Sequence, residues 1–67
     1  MPERHLRAAQ THDDAALRHE EAALHWDVYG EPERAELERR NAEIERAAAQ
    51  LERDRADLLR RKRAAKA

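Results

Sequence analysis

Large apolar residues recur every seven positions in the second half of the chain, at Leu37, Ile44, Leu51 and Leu58. In the first half the same interval carries His5, His12, His19 and Trp26. A seven-residue interval keeps side chains near one face of an α-helix, drifting about 20° per step, and a seam of that kind calls for a partner helix. Gly30 and Pro32 stand between the two patterns. Glycine takes the left-handed conformation that ends a helix. Proline suits a first helical position, where its missing N–H would be unpaired anyway. The pattern therefore predicts a helix over about residues 3–28, a turn at 29–32, a second helix over about 32–61 and a basic tail at 62–67. The expected fold is all-α: a single domain, residues 1–67, built as an antiparallel two-helix hairpin that dimerises into a four-helix bundle or a coiled-coil-like assembly.

The polar positions agree with this division. Glu31, Glu33, Glu36 and Glu38 open the second helix, and Arg60, Arg61, Lys62 and Arg63 close it, which complements the helix dipole at both ends. Glu36 with Arg40, Glu43 with Arg46 and Asp57 with Arg61 have favourable intrahelical spacings. Thr11 and Asp14 have the spacing of an N-terminal capping pair. The histidine and alanine intervals nevertheless pass through Thr11 without a phase break, so one continuous first helix is expected.

Each helix has two usable faces. On the first, alanine pairs at 8–9, 15–16 and 22–23 flank the histidines, and small residues permit close helix approach. Hairpin packing is expected through His12, Ala16, His19, Ala23 and Trp26, while Leu6, Leu17, Leu24 and Val28 form a second strip. On the second helix, Leu37, Ile44, Leu51 and Leu58 are the expected self-association seam. Ala35, Ala42, Ala49 and Ala56 repeat on nearly the opposite face. The ordinary reading makes these alanines surface helix formers; the alternative makes them a close-packing seam against the first helix or another subunit.

Around the turn, the order of Ala23, Trp26, Gly30, Ala35 and Ala42 resembles the small residue, aromatic, turn and two small residues of a single tetratricopeptide-type hairpin, over roughly residues 19–47. His19, Ala22 and Arg39 depart from that motif's tryptophan, leucine and aromatic, and its closing proline is absent. The resemblance implies how the hairpin closes, with Trp26 anchoring the turn. It does not imply peptide binding, because such arrays need about three or more repeats to bury their faces.

Composition explains why a partner is needed. Of 27 apolar residues 15 are alanine, so only twelve side chains can bury much area. Small chains rarely draw more than ~3–5 kcal/mol from one core and usually add disulfides, metal or oligomerisation. Cysteine is absent, which excludes disulfides and thiolate metal sites. Association with itself or with another helical protein is the simplest remaining support. The net charge of −1 gives no overall field toward nucleic acid or membrane. No apolar run approaches the ~18 residues of a membrane span, and the N-terminal stretch lacks the basic-then-apolar pattern of a secretion leader. The expected location is the cytoplasm.

The histidine ladder is the chemical candidate. Helical metal sites combine ligands at i, i+3 or i+4, whereas rings seven apart lie ~10.5 Å from one another along the axis. No single helix chelates with them, so no metal or cofactor is expected. The rings are expected to fill space beside the alanines and bond to a neighbouring Glu or Asn, with Asn41 a candidate partner or a buried register-setting amide. As titrating groups they also suggest pH sensing, in which several charges gained together would loosen a bundle. Arg60, Arg61, Lys62 and Arg63 offer possible phosphate contacts, salt-dependent and nonspecific, with no base-reading side chain beside them. The chain has no serine or cysteine and one threonine, no phosphate-cradling loop and no concave pocket to expect between two slim helices, so no catalytic residue is assigned. The expected function is a non-enzymatic, self-associating structural or protein–protein interaction module. A nucleic-acid-associated protein using the basic tail and a metal-binding or pH-responsive bundle using the ladder are the alternatives.

Overall fold

The computed structural model describes residues 2–66, and Met1 and Ala67 lie outside the described residues. Two helices make up the fold, α1 (Pro2–Val28) and α2 (Pro32–Lys66), packed antiparallel as a hairpin. α1 runs unbroken through Thr11, whose hydroxyl donates to the Arg7 carbonyl one turn back (3.1 Å). α2 continues through Lys66 rather than stopping near residue 61. Ala64 and Ala65 are strong helix formers, and Arg63 and Lys66 place positive charge at the negative end of the helix dipole. The stretch expected as a basic tail is therefore helical as far as it is described.

Three residues make the reversal, and their backbone bonds explain how. Gly30 has φ 71°, a left-handed value that a side chain would strain. The Glu31 N–H donates to the Trp26 carbonyl (2.8 Å) and the Gly30 N–H to the Asp27 carbonyl (3.1 Å). This is the paired closure of a Schellman cap. The Glu31 carbonyl then accepts from the Ala35 N–H (3.0 Å), so one residue both closes α1 and opens α2, with Pro32 at the first helical position. Across the turn the Arg34 guanidinium lies 4.7 Å from the centre of the half-buried Trp26 ring, and the His25 ring meets Trp26 edge-on at 5.2 Å.

Among the described residues, those buried between the helices are all small. Ala9, Ala16 and Ala23 from α1 and Ala35, Ala42, Ala49 and Ala56 from α2 are 0–2% exposed, with Pro2 buried at the open end. The ordinary reading of the α2 alanines as surface helix formers is thus overturned: they are the core. Alanine is short enough to let two backbones approach and still leave no gap. Leu37, Ile44, Leu51 and Leu58 are 46–64% exposed and contribute little to closing the hairpin. Asn41 is exposed too, so it is neither a buried amide nor a partner of the histidines. The result is a flat rod with Cα extents of 57 × 14 × 9 Å. Among the described residues no helix is long and apolar enough to cross a membrane.

A core made of methyl groups has no room for larger ones. Ala49→Leu is expected to push the helices apart and destabilise the hairpin by about 1–3 kcal/mol. Ala64→Leu, exposed on the last turns of α2 and off the leucine stripe, should change stability by no more than about 0.5 kcal/mol. Thermal unfolding followed by circular dichroism distinguishes the two; equal midpoints would show that the alanine seam does not set the helix spacing.

Candidate functional site

The residues flanking the alanine seam follow a simple offset rule. In α1 the residue three after a seam position is His5, His12 or His19, and the residue four after it is Asp13, Glu20 or Asp27. In α2 the same offsets carry Glu38, Glu45 and Glu52, then Arg39, Arg46 and Arg53. Offsets of three and four lie on opposite sides of a seam position at 100° per residue. An antiparallel pair therefore brings the first set of each helix together along one edge of the contact and the second set together along the other.

Along the first edge the Nδ1 atoms of His5, His12 and His19 lie 2.6, 3.2 and 3.2 Å from carboxylate oxygens of Glu52, Glu45 and Glu38. All six side chains are part-buried, Glu52 most of all at 13% exposed. Its carboxyl is held below the usual carboxylate range, chiefly by the hydrogen bond with His5, while desolvation pushes the other way and Arg55 adds to the lowering. Trp26 occupies the next position after the histidines, where the chain turns into Glu31. The expected packing group of His12, Ala16, His19, Ala23 and Trp26 is thus split by the structure. Its alanines are buried in the seam, its histidines bridge to α2 along one edge, and Trp26 sits at the turn.

Along the second edge Asp13 pairs with Arg53, Glu20 with Arg46 and Asp27 with Arg39. These arginines are 42–51% exposed, so each pair contributes only about 0.2–1 kcal/mol. Sequence reasoning missed this ladder altogether. Its signal lay in the equal offsets: acid after alanine in α1, arginine after alanine in α2.

Two sets of apolar side chains remain uncommitted to the hairpin. Leu37, Ile44, Leu51 and Leu58 each follow a core alanine by two residues, a rotation of 200° that turns them away from α1. Leu17 and Leu24 on α1 follow a core alanine by one and are 56% and 64% exposed. Leu24 borders a shallow groove of about 400 Å³ along the arginine edge, with Glu20, Ala23, Ala42 and Arg46. At the open end Arg60, Arg61, Lys62 and Arg63 are exposed on the last turns of α2. Arg61 pairs with Asp57 (3.2 Å), while Lys62 and Arg63 flank a recess with Pro2 and Leu59. Each histidine–glutamate contact offers two donor groups, and among the described residues no three potential ligands come together to hold a metal ion. No protein family, curated protein or solved structure matches the chain.

The arginine ladder is checked by charge exchange. Glu20→Arg should lower the unfolding midpoint by putting like charges together, and adding Arg46→Glu should restore most of the loss; failure of the second change to rescue the first would show that the pair does not bridge the helices. The lowered Glu52 carboxyl sets a second expectation. It contributes stability that is present above the ordinary carboxylate value and is lost as pH falls through its own lowered one. The advantage of the wild type over Glu52→Gln in denaturant unfolding should therefore shrink on acidification from about pH 6 to about pH 3. A constant gap would contradict it.

Proposed function

We propose that the chain is a non-enzymatic helical module that associates with a second copy through Leu37, Ile44, Leu51 and Leu58. One observation carries this reading: four of the five large apolar side chains of α2 form an exposed line along it, while among the described residues the buried core holds nothing larger than alanine and proline. Fully burying a leucine or isoleucine contributes ~1.5–3 kcal/mol. Four residues only about half buried on each chain therefore hold a substantial further stabilisation in reserve, of the same order as the alanine seam itself.

The direction of the stripe bears on the form of the assembly. A bundle closed around one central core would need the large apolar residues of both helices to converge on one face of the hairpin. Here the α2 stripe faces away from α1, whereas Leu17 and Leu24 lie toward the arginine edge. Pairing through the stripe sets α2 against its counterpart and leaves each α1 outside, as a flat layer of four helices. The charged flanks of the stripe, Glu43 and Asp57 on one side and Arg55 and Lys62 on the other, form its polar rim. Another helical protein with a matching stripe is the alternative occupant.

The double substitution Ile44→Asp and Leu51→Asp should reduce the light-scattering mass to that of one chain and remove any concentration dependence of the unfolding midpoint. The hairpin itself should keep its helical signal, because neither side chain faces α1. A wild type that is already monomeric at high concentration, or a variant that keeps the assembled mass, would refute the reading.

A further inference from the structure

We propose that the three histidine–glutamate contacts form a proton-tightened clasp, so that the hairpin closes more firmly as its surroundings pass from mildly alkaline to mildly acidic. The inference rests on placement. Every histidine of the ladder meets a carboxylate of the other helix, and no charged group of α1 lies one turn away from any of them. The residues three and four positions from His12 are Ala8, Ala9, Ala15 and Ala16, and those around His19 are Ala15, Ala16, Ala22 and Ala23. From α2 the facing charges are Glu38, Glu45 and Glu52, with Arg55 of the same helix on the far oxygen of Glu52.

The sign follows from what a proton does at each contact. A neutral imidazole N–H already donates to an ionised acceptor; a protonated ring adds to that bond the Coulomb attraction of a full ion pair. In the unfolded chain the same proton has no such partner. Histidine is the side chain whose ordinary titration falls between about pH 5 and 8, a window in which free carboxylates stay ionised. The clasp is thus at full strength on the acidic side of that window and weakens as pH rises through it. Mutual repulsion does not reverse this. Successive rings stand ~10.5 Å apart along α1, about one Debye length at physiological salt, whereas each facing carboxylate is within hydrogen-bond reach. The sequence suggested that several charges gained together would loosen a bundle; with a glutamate opposite each ring, the proposed effect has the opposite sign.

His25 supplies an internal control. It is exposed, lies against the Trp26 and Tyr29 rings, and is bonded to no carboxylate among the described residues. The test is the thermal unfolding midpoint by circular dichroism between about pH 8 and about pH 5.5, at two chain concentrations to separate closure from association. The wild type should gain on the order of 5 °C on acidification, at both concentrations. H25Q should keep the gain and the triple variant H5Q/H12Q/H19Q should lose it. A wild-type midpoint that is flat or falls toward the acidic side overturns the proposal, as does a triple variant that keeps the gain. Should that variant fail to fold, E38Q/E45Q/E52Q decides the matter: with amides opposite the rings the gain must vanish, and its persistence overturns the clasp.

Discussion

Close approach of two backbones is the constraint on which the molecule depends. A methyl group at every seventh position of each helix lets the axes come near enough for short side chains to reach across. Histidine to glutamate, and aspartate to arginine, are pairs that bridge only when the helices are close. A leucine seam would hold the helices farther apart and stretch both ladders. The alanines therefore do little to drive folding by area, yet they decide which polar contacts are possible. The turn serves the same end, since a cap that ends one helix on the residue that opens the next leaves no slack for the helices to drift apart.

Much of this was legible beforehand. The two-helix division, the place of the reversal and the role of Gly30 and Pro32 follow from local backbone chemistry, which acts within a few residues. The choice of face did not follow. Periodicity shows that a helix has a seam but not which seam meets which neighbour, and hydropathy ranks leucine above alanine, so Leu37, Ile44, Leu51 and Leu58 drew attention ahead of Ala35, Ala42, Ala49 and Ala56. The deciding cue was polar. Only alignment on the alanines places Glu38, Glu45 and Glu52 opposite the histidines and Arg39, Arg46 and Arg53 opposite the acids of α1. Asn41, expected as a histidine partner or a buried amide, lies exposed on α2.

The hairpin divides its labour between inner and outer surfaces. Inside, small residues and matched charges specify one arrangement of α1 against α2. Outside, large apolar side chains lie exposed and uncommitted to either helix; in the proposed assembly they join one hairpin to the next. Polar ladders suit the inner task because they set orientation and alignment. Bulk apolar area suits the outer one because it is not directional.

The ladders also carry a rule about length. Each forward step of seven along α1 is answered by a backward step of seven along α2, with histidine meeting glutamate on one edge and an acid meeting arginine on the other at every step. A heptad added to or removed from both arms together would leave every remaining contact in kind and in place. A change to one arm alone, or a single residue inserted at Tyr29–Glu31, would slide every rung past its partner. The hairpin is in this sense a ruled scale: its two arms can be cut or extended only at matching marks, and the turn is the zero from which both are read.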